Sequence, residues 1–466
     1  MWGTWVGNVM ECGVHLLVPG VGLFIVLFVD GTSIFTPVRD APATPCPISS
    51  MSAPSIHTQA LIIGAGPAGC GTSAFLSKAG IPHVIVDKAV FPRDKVCGDA
   101  ISGKSTYVIR NISEAWLDEL FAAREDVLPS SGLSFVAPNG VSLPISFGIG
   151  KTGHLPGFTT TRLFFDDFLF RKLDPEYATV YTGATVQSLQ RTEAGWKADV
   201  ATPDGPICIN AKILVGADGD KSIVRKQLGL QEASPKTSAV GLRAYYSGIG
   251  ELSQEGMIEL HFLPELLPGY FWIFPLPGGR ANVGIGMMSQ DVRDKKINLR
   301  ERMLHAIATN PGLKDRFRDA QLEGKILGWG LPMGVNRTLL SGDGYLLTGD
   351  AAQLIDPFSG EGIGNALYSG MRAAKAIEAA ISSSDYSAAF LKQAYDDPVY
   401  KRLWGELRTS TVLQRLSRYP WIFNFVINKA TKSPTLRDTI SGMFTDLDLR
   451  SKLRQPSFYL KMLFNR

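Results

Sequence analysis

The sequence is poor in cysteine, histidine and charge, and each shortage excludes a class of protein. Its five cysteines show no paired spacing and its six histidines form no HxxxH-type group, so neither a disulfide framework nor a metal site is predicted. Charged residues make up 19% and hydrophobic residues 45% of the 466 positions, the composition of an ordered globular chain of two or three domains. The unpaired cysteines favour a reduced, cytoplasmic protein.

The first 55 residues lack the features of a targeting segment. No Lys or Arg precedes Arg39, which excludes the basic region of a signal peptide. The apolar run from Val14 to Val29 is 16 residues long and contains Pro19, so it is short for a membrane span. We interpret residues 1–55 as a disordered leader and expect the functional chain to begin at Met51. An N-terminal anchor is the alternative.

A glycine-rich turn between two apolar strands predicts a dinucleotide site. The first strand, residues 60–63, runs into the turn, a helical pattern follows, and a second strand ends at Asp87. Such a turn lets backbone amides approach a pyrophosphate at the helix N-terminus, and an acid about 20 residues later can bind a ribose. The turn itself is Gly64, Ala65, Gly66, Pro67, Ala68 and Gly69.

Two later strands end in acidic turns, and a helical segment between the motifs supplies one more recognisable pattern. Residues 213–217 break into Asp218 and Gly219, and residues 345–349 deliver Asp350 at the carboxyl end of a strand, where α/β sheets bind ligands. Arg162 begins the segment RLFFDDFL. A loop that opens a helix follows Asp350 and contains Pro357, Gly360, Gly362, Ile363 and Gly364. Amides at that helix N-terminus favour negative charge on a bound group.

Together and in this order, these motifs resemble the three FAD motifs and the RxxFDxxL helix of the para-hydroxybenzoate-hydroxylase-like, glutathione-reductase-type superfamily. The resemblance implies non-covalent FAD. Gly64, Gly66 and Gly69 would pack its pyrophosphate, and Asp87, where the family usually has Glu, its adenosine ribose. Asp218 would lie beside the pyrophosphate or support its turn, and Asp350 would hold the ribityl chain. Further cofactor contacts are expected from Pro67, Ala68, Lys88, Arg93, Arg162, Gly219, Pro357, Gly360, Gly362, Ile363 and Gly364.

One aromatic strand indicates which family within this superfamily the sequence resembles. Tyr270, Trp272 and Phe274 alternate and so share one face of a strand, while the opposite face is apolar as well. Pattern alone favours a core strand. The spelling, however, matches YxWxFP-x8-GxG, the substrate-cavity signature of the geranylgeranyl reductase family. The substrate-binding set implied by this resemblance is Tyr270, Trp272, Phe274, Pro275, Gly284 and Gly286. Residues 91–100, with Cys97 and Gly98, resemble the KxCG loop that this family holds beside the flavin ring.

The resemblance implies an FAD-dependent reductase of carbon–carbon double bonds in a prenyl lipid or prenylated quinone. Cys97 is the candidate proton donor, with a small spacer as its other interpretation, and Tyr270 is the alternative donor. NAD(P)H or a reduced ferredoxin-like protein would be the electron donor. A flavin-dependent monooxygenase or halogenase is the first competing function, although halogenases carry WxWxIP at this strand. A quinone-linked electron-transfer flavoprotein is the second.

The order of the motifs predicts an α/β protein with interleaved domains. A Rossmann-like FAD-binding domain is expected from residues 56–110, 158–235 and 335–385, and an α+β substrate domain from residues 111–157 and 236–334. A helical C-terminal region should cover residues 386–466, where 14 Lys and Arg stand against six Asp and Glu. No nucleic-acid motif accompanies this charge, so we expect an anionic membrane surface as its partner, peripheral on the inner face, with a solvated basic face as the alternative.

Overall fold

The computed structural model describes residues 14–15, 26–29, 32–35, 54–148, 153–434 and 436–437. The chain divides into two compact units, Met1–Ser52 and Ala53–Arg466. In the first unit, three short strands pair into one antiparallel sheet, within the segment that the sequence analysis interprets as a disordered leader. Met51 lies outside the described residues, and its role as the functional N-terminus stays a prediction.

The described part of the chain contains both strands and helices. The strands are β1 Val14–His15, β2 Val26–Val29, β3 Thr32–Phe35, β4 Ser55–Ile63, β5 His83–Val86, β6 Ala100–Ile101, β7 Val127–Ser130, β8 Gly132–Val136, β9 Ser142–Ser146, β10 Gly157–Thr160, β11 Ala178–Tyr181, β12 Thr185–Thr192, β13 Gly195–Thr202, β14 Gly205–Gly216, β15 Ser238–Ser247, β16 Ile258–His261, β17 Tyr270–Leu276, β18 Arg280–Met288, β19 Gln321–Pro332, β20 Ser341–Gly342 and β21 Tyr345–Leu347. The α-helices are α1 Pro67–Lys78, α2 Gly103–Ile112, α3 Glu114–Ala122, α4 Arg162–Arg171, α5 Ile223–Gln227, α6 Ser289–Asp294, α7 Leu299–Thr309, α8 Pro311–Lys314, α9 Ile363–Ser383, α10 Ala388–Leu391, α11 Asp397–Leu416 and α12 Pro420–Lys432.

An eight-stranded sheet carries the predicted nucleotide motifs. Its path is β11-β5-β4-β14-β13-β12; β21 pairs with the carboxyl end of β14, and β20 pairs with β21. Strands β11, β5, β4, β14 and β21 run parallel, so their carboxyl ends meet at one edge. The long helices α1 and α9 pack closely, because a Cβ on Gly370 of α9 would lie 2.5 Å from the carbonyl oxygen of Ala68 on α1.

A seven-stranded sheet forms the second layer, in the order β19-β15-β18-β17-β16-β8-β9. Strands β8 and β9 come from before the third nucleotide-sheet strand, β11, and the others from after β14, so the two sheets are interleaved along the chain. The opposite face of β17 is buried as expected, since Phe271 and Ile273 are fully covered. The predicted fold class is confirmed, whereas the exact domain boundaries stay predictions.

The C-terminal region is helical through α12 and packs on the body of the protein. Ser410 of α11 donates to the carboxylate of Asp356 (2.6 Å), and Arg418 forms a bidentate pair with Asp291 (2.9 and 2.7 Å). None of the helices in the described part of the chain combines the length and the hydropathy that a membrane crossing requires.

Candidate active site

One cavity of about 940 Å³ lies between the carboxyl edge of the nucleotide sheet and the face of β17 that carries Tyr270, Trp272 and Phe274. This volume is at the upper end of the range of about 300–1,000 Å³ that is usual for ligand sites. Most of the predicted site residues line it together: Gly64, Gly66, Pro67, Ala68, Asp87, Lys88, Arg93, Cys97, Gly98, Arg162, Asp218, Gly219, Tyr270, Trp272, Phe274, Gly286, Asp350, Pro357, Gly360, Gly362 and Ile363.

The three glycines of the first turn are required for different reasons. A Cβ on Gly64 would lie 2.3 Å from the carbonyl oxygen of Ala217, and one on Gly69 would lie 1.8 Å from that of Gly64. These two glycines are therefore required by the protein's own packing. A Cβ on Gly66 would meet only the guanidinium of Arg93, at 3.7 Å, and so would project into the cavity. Gly66 is the glycine that leaves room for a ligand.

The residues around Gly66 suit a pyrophosphate, and so the site fits FAD. Helix α1 begins at Pro67 directly after Gly66 and has no acidic residue in its first turn, so its amides and dipole favour an anion. Arg93 adds a positive charge 3.7 Å from the Cβ position of Gly66. The loaded site would hold the pyrophosphate at Gly66 and the ribityl chain near Asp350.

Asp87 organises the glycine turn. Its Oδ2 accepts the backbone N–H of Ala65 (2.6 Å), and its Oδ1 accepts that of Ala89 (2.8 Å). The shorter Asp thus bonds both the glycine turn after β4 and the turn after β5 while it lines the cavity. Its contact with a ribose stays a prediction.

The turn at Asp218 supports the glycine turn at residues 64–69. Asp218 accepts the backbone N–H of Val224 at the start of α5 (3.1 Å), while its Oδ1 has no hydrogen-bond partner among the described residues. Burial raises the pKa of the Asp218 carboxyl. Because Ala217 also packs against Gly64, the Asp218 turn holds the glycine turn in place.

The glycine loop after Asp350 is held by its own acids. Oδ1 of Asp356 accepts the backbone N–H groups of Phe358 (3.0 Å) and Ser359 (2.9 Å), and Glu361 accepts that of Gly364 in the first turn of α9 (2.6 Å). A carboxylate therefore already accepts from one of the amides that were expected to favour negative charge on a bound group. Lys95 lies 3.7 Å from Asp350 across the cavity.

Arg162 and Arg93 share one buried carboxylate. Asp166 accepts from Arg162 twice (2.5 and 2.6 Å) and from Arg93 once (2.5 Å). Burial raises the pKa of Asp166, but the charges of the two guanidinium groups outweigh it and hold the pKa below its ordinary value. Because Arg93 belongs to the cysteine loop, its bond to Asp166 ties that loop to the RxxFDxxL helix.

The signature YxWxFP-x8-GxG is a cross-strand packing pattern. In the antiparallel pair β17–β18, Trp272 lies opposite Gly284 and Tyr270 opposite Gly286. A Cβ on Gly284 would lie 2.3 Å from the Trp272 ring. The indole packs over this glycine, and the same aromatic face of β17 lines the cavity.

Tyr270 joins the signature strand to the glycine loop. Its hydroxyl donates to the carbonyl of Ser359 (2.7 Å). Burial, and then the negative charges of Asp356 and Glu361, raise the pKa of this phenol. A committed hydrogen bond and a raised pKa both weaken Tyr270 as a proton donor, so that role stays a prediction that the geometry does not favour.

Asn282 links the signature strand to the cysteine loop. Its Oδ1 accepts the indole N–H of Trp272 (2.8 Å). Its amide nitrogen donates to the carbonyl of Cys97 (2.7 Å) and to Oδ2 of Asp99 (2.8 Å). The same Asp99 oxygen accepts the hydroxyl of Tyr245 (2.7 Å). Gly98 adds a direct contact, because its Cβ would lie 2.9 Å from the Phe274 ring.

Four predicted site residues do not line the cavity. Gly69 and Gly284 are covered by protein atoms, and the carbonyl of Pro275 accepts a hydrogen bond from Thr159. Gly364 lies against Lys104, Glu361 and Ser102. At the three glycines, packing behind the cavity wall leaves no room for a side chain, which a motif match alone does not distinguish from ligand contact.

Sequence reasoning missed Asp99, Asn282 and Tyr245. Asn282 alternates with Gly284 and Gly286, so its position on the cavity-facing side of an apolar strand was a usable signal. Asp99 adjoins the recognised cysteine loop, but nothing in the sequence indicates that it is fully buried.

Residues 57–389 match the family described as FAD binding domain. The chain belongs to this family. The match spans more than half of the chain and confirms the predicted FAD-dependent oxidoreductase. Within the FAD-binding family, the digeranylgeranylglycerophospholipid reductase of Methanococcus vannielii is 29% identical over 363 residues, which cover 77% of this chain and 87% of that protein. The menaquinone reductase of Mycolicibacterium smegmatis is 28% identical over 407 residues, which cover 83% and 92%.

Solved structures of FAD-binding proteins share the fold. A geranylgeranyl bacteriochlorophyll reductase-like protein from Thermoplasma acidophilum superimposes with a TM-score of 0.71 at 22% identity, over 86% of this chain and 99% of that one. A flavin-dependent brominase reaches 0.69 at 20% identity, over 87% and 99%. At such identities the likeness establishes the fold alone. The resemblance to geranylgeranyl reductases is supported by the named relatives.

Proposed function

We propose that this enzyme reduces carbon–carbon double bonds in the prenyl chain of a lipid or quinone. One observation carries the proposal: the aromatic face of β17 lines the same cavity as Gly66 and Cys97. A prenyl chain against Trp272 and Phe274 would therefore lie beside the cofactor site. The names of the two reductases above, one for a geranylgeranyl lipid and one for a menaquinone, support this substrate class.

The lining of the cavity suits an apolar chain. Trp272 and Phe274 are joined there by Leu133, Ile258 and Leu260. Each Å² of apolar surface that leaves water stabilises the complex by about 25 cal/mol. Such a wall supplies affinity and excludes water, and it offers few polar groups that would specify a headgroup.

Reduction needs a hydride and a proton at the two carbons. When bound, reduced FAD supplies the hydride. An isolated prenyl alkene accepts hydride poorly unless a proton is delivered to the other carbon, so an acid must act inside the cavity. Cys97 lines the cavity, and its loop is held by Asn282 and by the Arg93–Asp166 pair. We assign the donor role to Cys97 in preference to Tyr270.

A cationic wall near Asp350 supports a transient reductant. The ammonium groups of Lys95 and Lys221 lie 5.1 and 5.4 Å from the centre of the Trp329 ring, and all three residues line the cavity. Positive charge beside an aromatic face suits a pyridine dinucleotide, and positive charge alone suits an acidic ferredoxin-like donor. We propose that the electron donor approaches here.

The C-terminal helices support a membrane-facing surface. Tyr419, Trp421 and Phe425 expose 54%, 70% and 50% of their surface. On the inner side of α12, the Phe423 ring lies 4.2 Å from that of Phe262 at a tilt of 32°, and Phe262 is a neighbour of Tyr270. We propose that this helix docks on an anionic bilayer, where prenyl substrates reside, close to the aromatic end of the cavity.

Product mass tests the proposed reduction. The holoenzyme is reduced photochemically without oxygen and incubated with prenyl lipids and prenylated quinones, and each reduced bond should add two hydrogens. An oxygen-dependent product that carries an added oxygen or halogen atom would instead favour the monooxygenase or halogenase function, which the brominase fold permits. Flavin oxidation without any lipid product would favour an electron-transfer flavoprotein.

A further inference from the structure

Asp99 is a fully buried carboxyl in the cavity wall. Its backbone is left-handed, with φ +65°, a conformation that Asp and Asn adopt more readily than most residues. Its Oδ2 accepts from Asn282 and Tyr245, whereas Oδ1 has no hydrogen-bond partner among the described residues. A buried carboxylate oxygen without a donor is costly, and a proton on that oxygen removes most of the cost.

We propose that Asp99 takes up a proton when a prenyl chain fills the cavity, and that this proton is the one consumed by the reduction. The inference rests on the proposed function. It assigns to Asp99 the storage of the proton and leaves its delivery to a group that touches the substrate. Asp99 is thus a positioning residue. Cys97, two residues away on the same loop, carries the proton from Asp99 to the substrate.

The surroundings of Asp99 allow this change of state. Burial raises its pKa to about 6, although the hydrogen bonds from Asn282 and Tyr245 and the charges of Arg243 and Arg162 act in the opposite direction. Both arginines already have acidic partners: Arg243 pairs with Asp94 (2.7 Å) and Arg162 with Asp166. An apolar chain that displaces water from the neighbouring cavity makes the surroundings of the carboxyl less polar, which favours the protonated form.

The step balances in atoms and electrons. The alkene gains a hydride from the reduced cofactor at one carbon and a proton at the other, and its π bond becomes two C–H bonds. The cofactor is oxidised by two electrons. The carrier thiol returns to its protonated state with the proton from Asp99. Asp99 remains as a carboxylate, which is reprotonated from solvent during the next substrate binding.

Proton uptake can be measured without turnover. A saturated C20 prenyl alcohol is titrated into oxidised holoenzyme at pH 7 by calorimetry in two buffers of different ionisation enthalpy. We expect uptake of about half to one proton in the wild type and close to none in Asp99→Asn. Asn tolerates the positive φ and keeps an acceptor for Asn282 and Tyr245. No uptake in the wild type, or equal uptake in Asp99→Asn, would overturn the proposal.

A second variant keeps the test decisive if Asp99→Asn does not fold. Tyr245→Phe removes one hydrogen bond that favours the ionised carboxyl, so the pH at which uptake is half-maximal should rise. An unchanged or lower midpoint counts against Asp99 as the site. Absence of any binding heat with the prenyl alcohol in both buffers would reject the proposed function, and with it this inference. Binding without proton uptake rejects the inference alone.

Discussion

The indole N–H of Trp272 donates to Oδ1 of Asn282 across strands β17 and β18, at 2.8 Å. Through its amide nitrogen, Asn282 holds the carbonyl of Cys97 and the carboxyl of Asp99. Trp272 is therefore more than an apolar wall, because its polar edge fixes the loop that carries the candidate proton donor. The signature strand β17, the cysteine loop and Asp99 form one hydrogen-bonded unit.

We expect Gly66→Val to purify without bound flavin while it remains folded. The valine would project into the space assigned to the pyrophosphate, and the backbone of Gly66 is not left-handed, so the substitution strains nothing else. Absorbance at 450 nm and circular dichroism measure the two properties. Gly148→Val, at a glycine with no atoms within 4 Å of its Cβ position, is the control and should stay yellow. Normal FAD content in Gly66→Val would contradict this placement.

Gly284→Ala should lower the free energy of unfolding by about 3 kcal/mol or more, and Gly286→Ala by less than about 1 kcal/mol. The new methyl at Gly284 would lie 2.1 Å from the carbonyl oxygen of Leu242 and 2.3 Å from Trp272, whereas at Gly286 the nearest atom is 3.8 Å away. Urea denaturation of the matched pair measures the difference. Equal losses would show that the Trp272–Gly284 packing is not what the signature preserves.

Tyr270→Phe and Cys97→Ser separate the two candidate donors. Loss of the bond from Tyr270 to Ser359 should cost about 1 kcal/mol, so alkene reduction should fall by less than about tenfold. Cys97→Ser should slow alkene reduction more strongly while the rate of flavin reduction is kept, because a hydroxyl is a far weaker acid than a thiol. Single-turnover kinetics resolve both rates. A Tyr270→Phe enzyme that loses all reduction would return the donor role to the tyrosine.

Asp99 should make the protein less stable as the pH rises. Its pKa increases from 3.8 to about 6 on folding, so the unfolded chain releases this proton first. The free energy of unfolding should therefore fall between about pH 4 and pH 6, by about 3 kcal/mol in all, and then stay level. Urea unfolding at pH 4.5 and 7.5 tests the sign, and Asp99→Asn should lose this component. A variant with the same pH dependence as the wild type would exclude Asp99 as its source.

The double variant Trp421→Ser, Phe425→Ser should bind anionic liposomes at least tenfold more weakly than the wild type. Each exposed aromatic ring that enters the bilayer contributes roughly 1.5–3 kcal/mol. Flotation with vesicles containing phosphatidylglycerol measures binding, which added salt should also weaken. Leu339→Ser is the matched control, because that side chain is 62% exposed on another part of the protein. Binding that ignores the double variant and the salt would contradict the docking surface.

The sequence alone determined the dinucleotide-binding turn and the fold class, and the resemblance of its motifs, taken in order, implied FAD. Short-range patterns carry this information, because a glycine turn between a strand and a helix, followed by Asp87, has few structural solutions. The alternation of Tyr270, Trp272 and Phe274 likewise fixed the shared face of β17, since side chains on a strand alternate by geometry.

Only the tertiary structure decided which residues meet across the chain. It separated Gly66, which opens into the cavity, from Gly69 and Gly284, which protein atoms cover. It also brought Asn282 to Asp99, 183 positions apart. Burial and hydrogen bonding arise from the packing of both sheets, and these determine the pKa of a carboxyl such as Asp99. A local sequence pattern contains neither quantity.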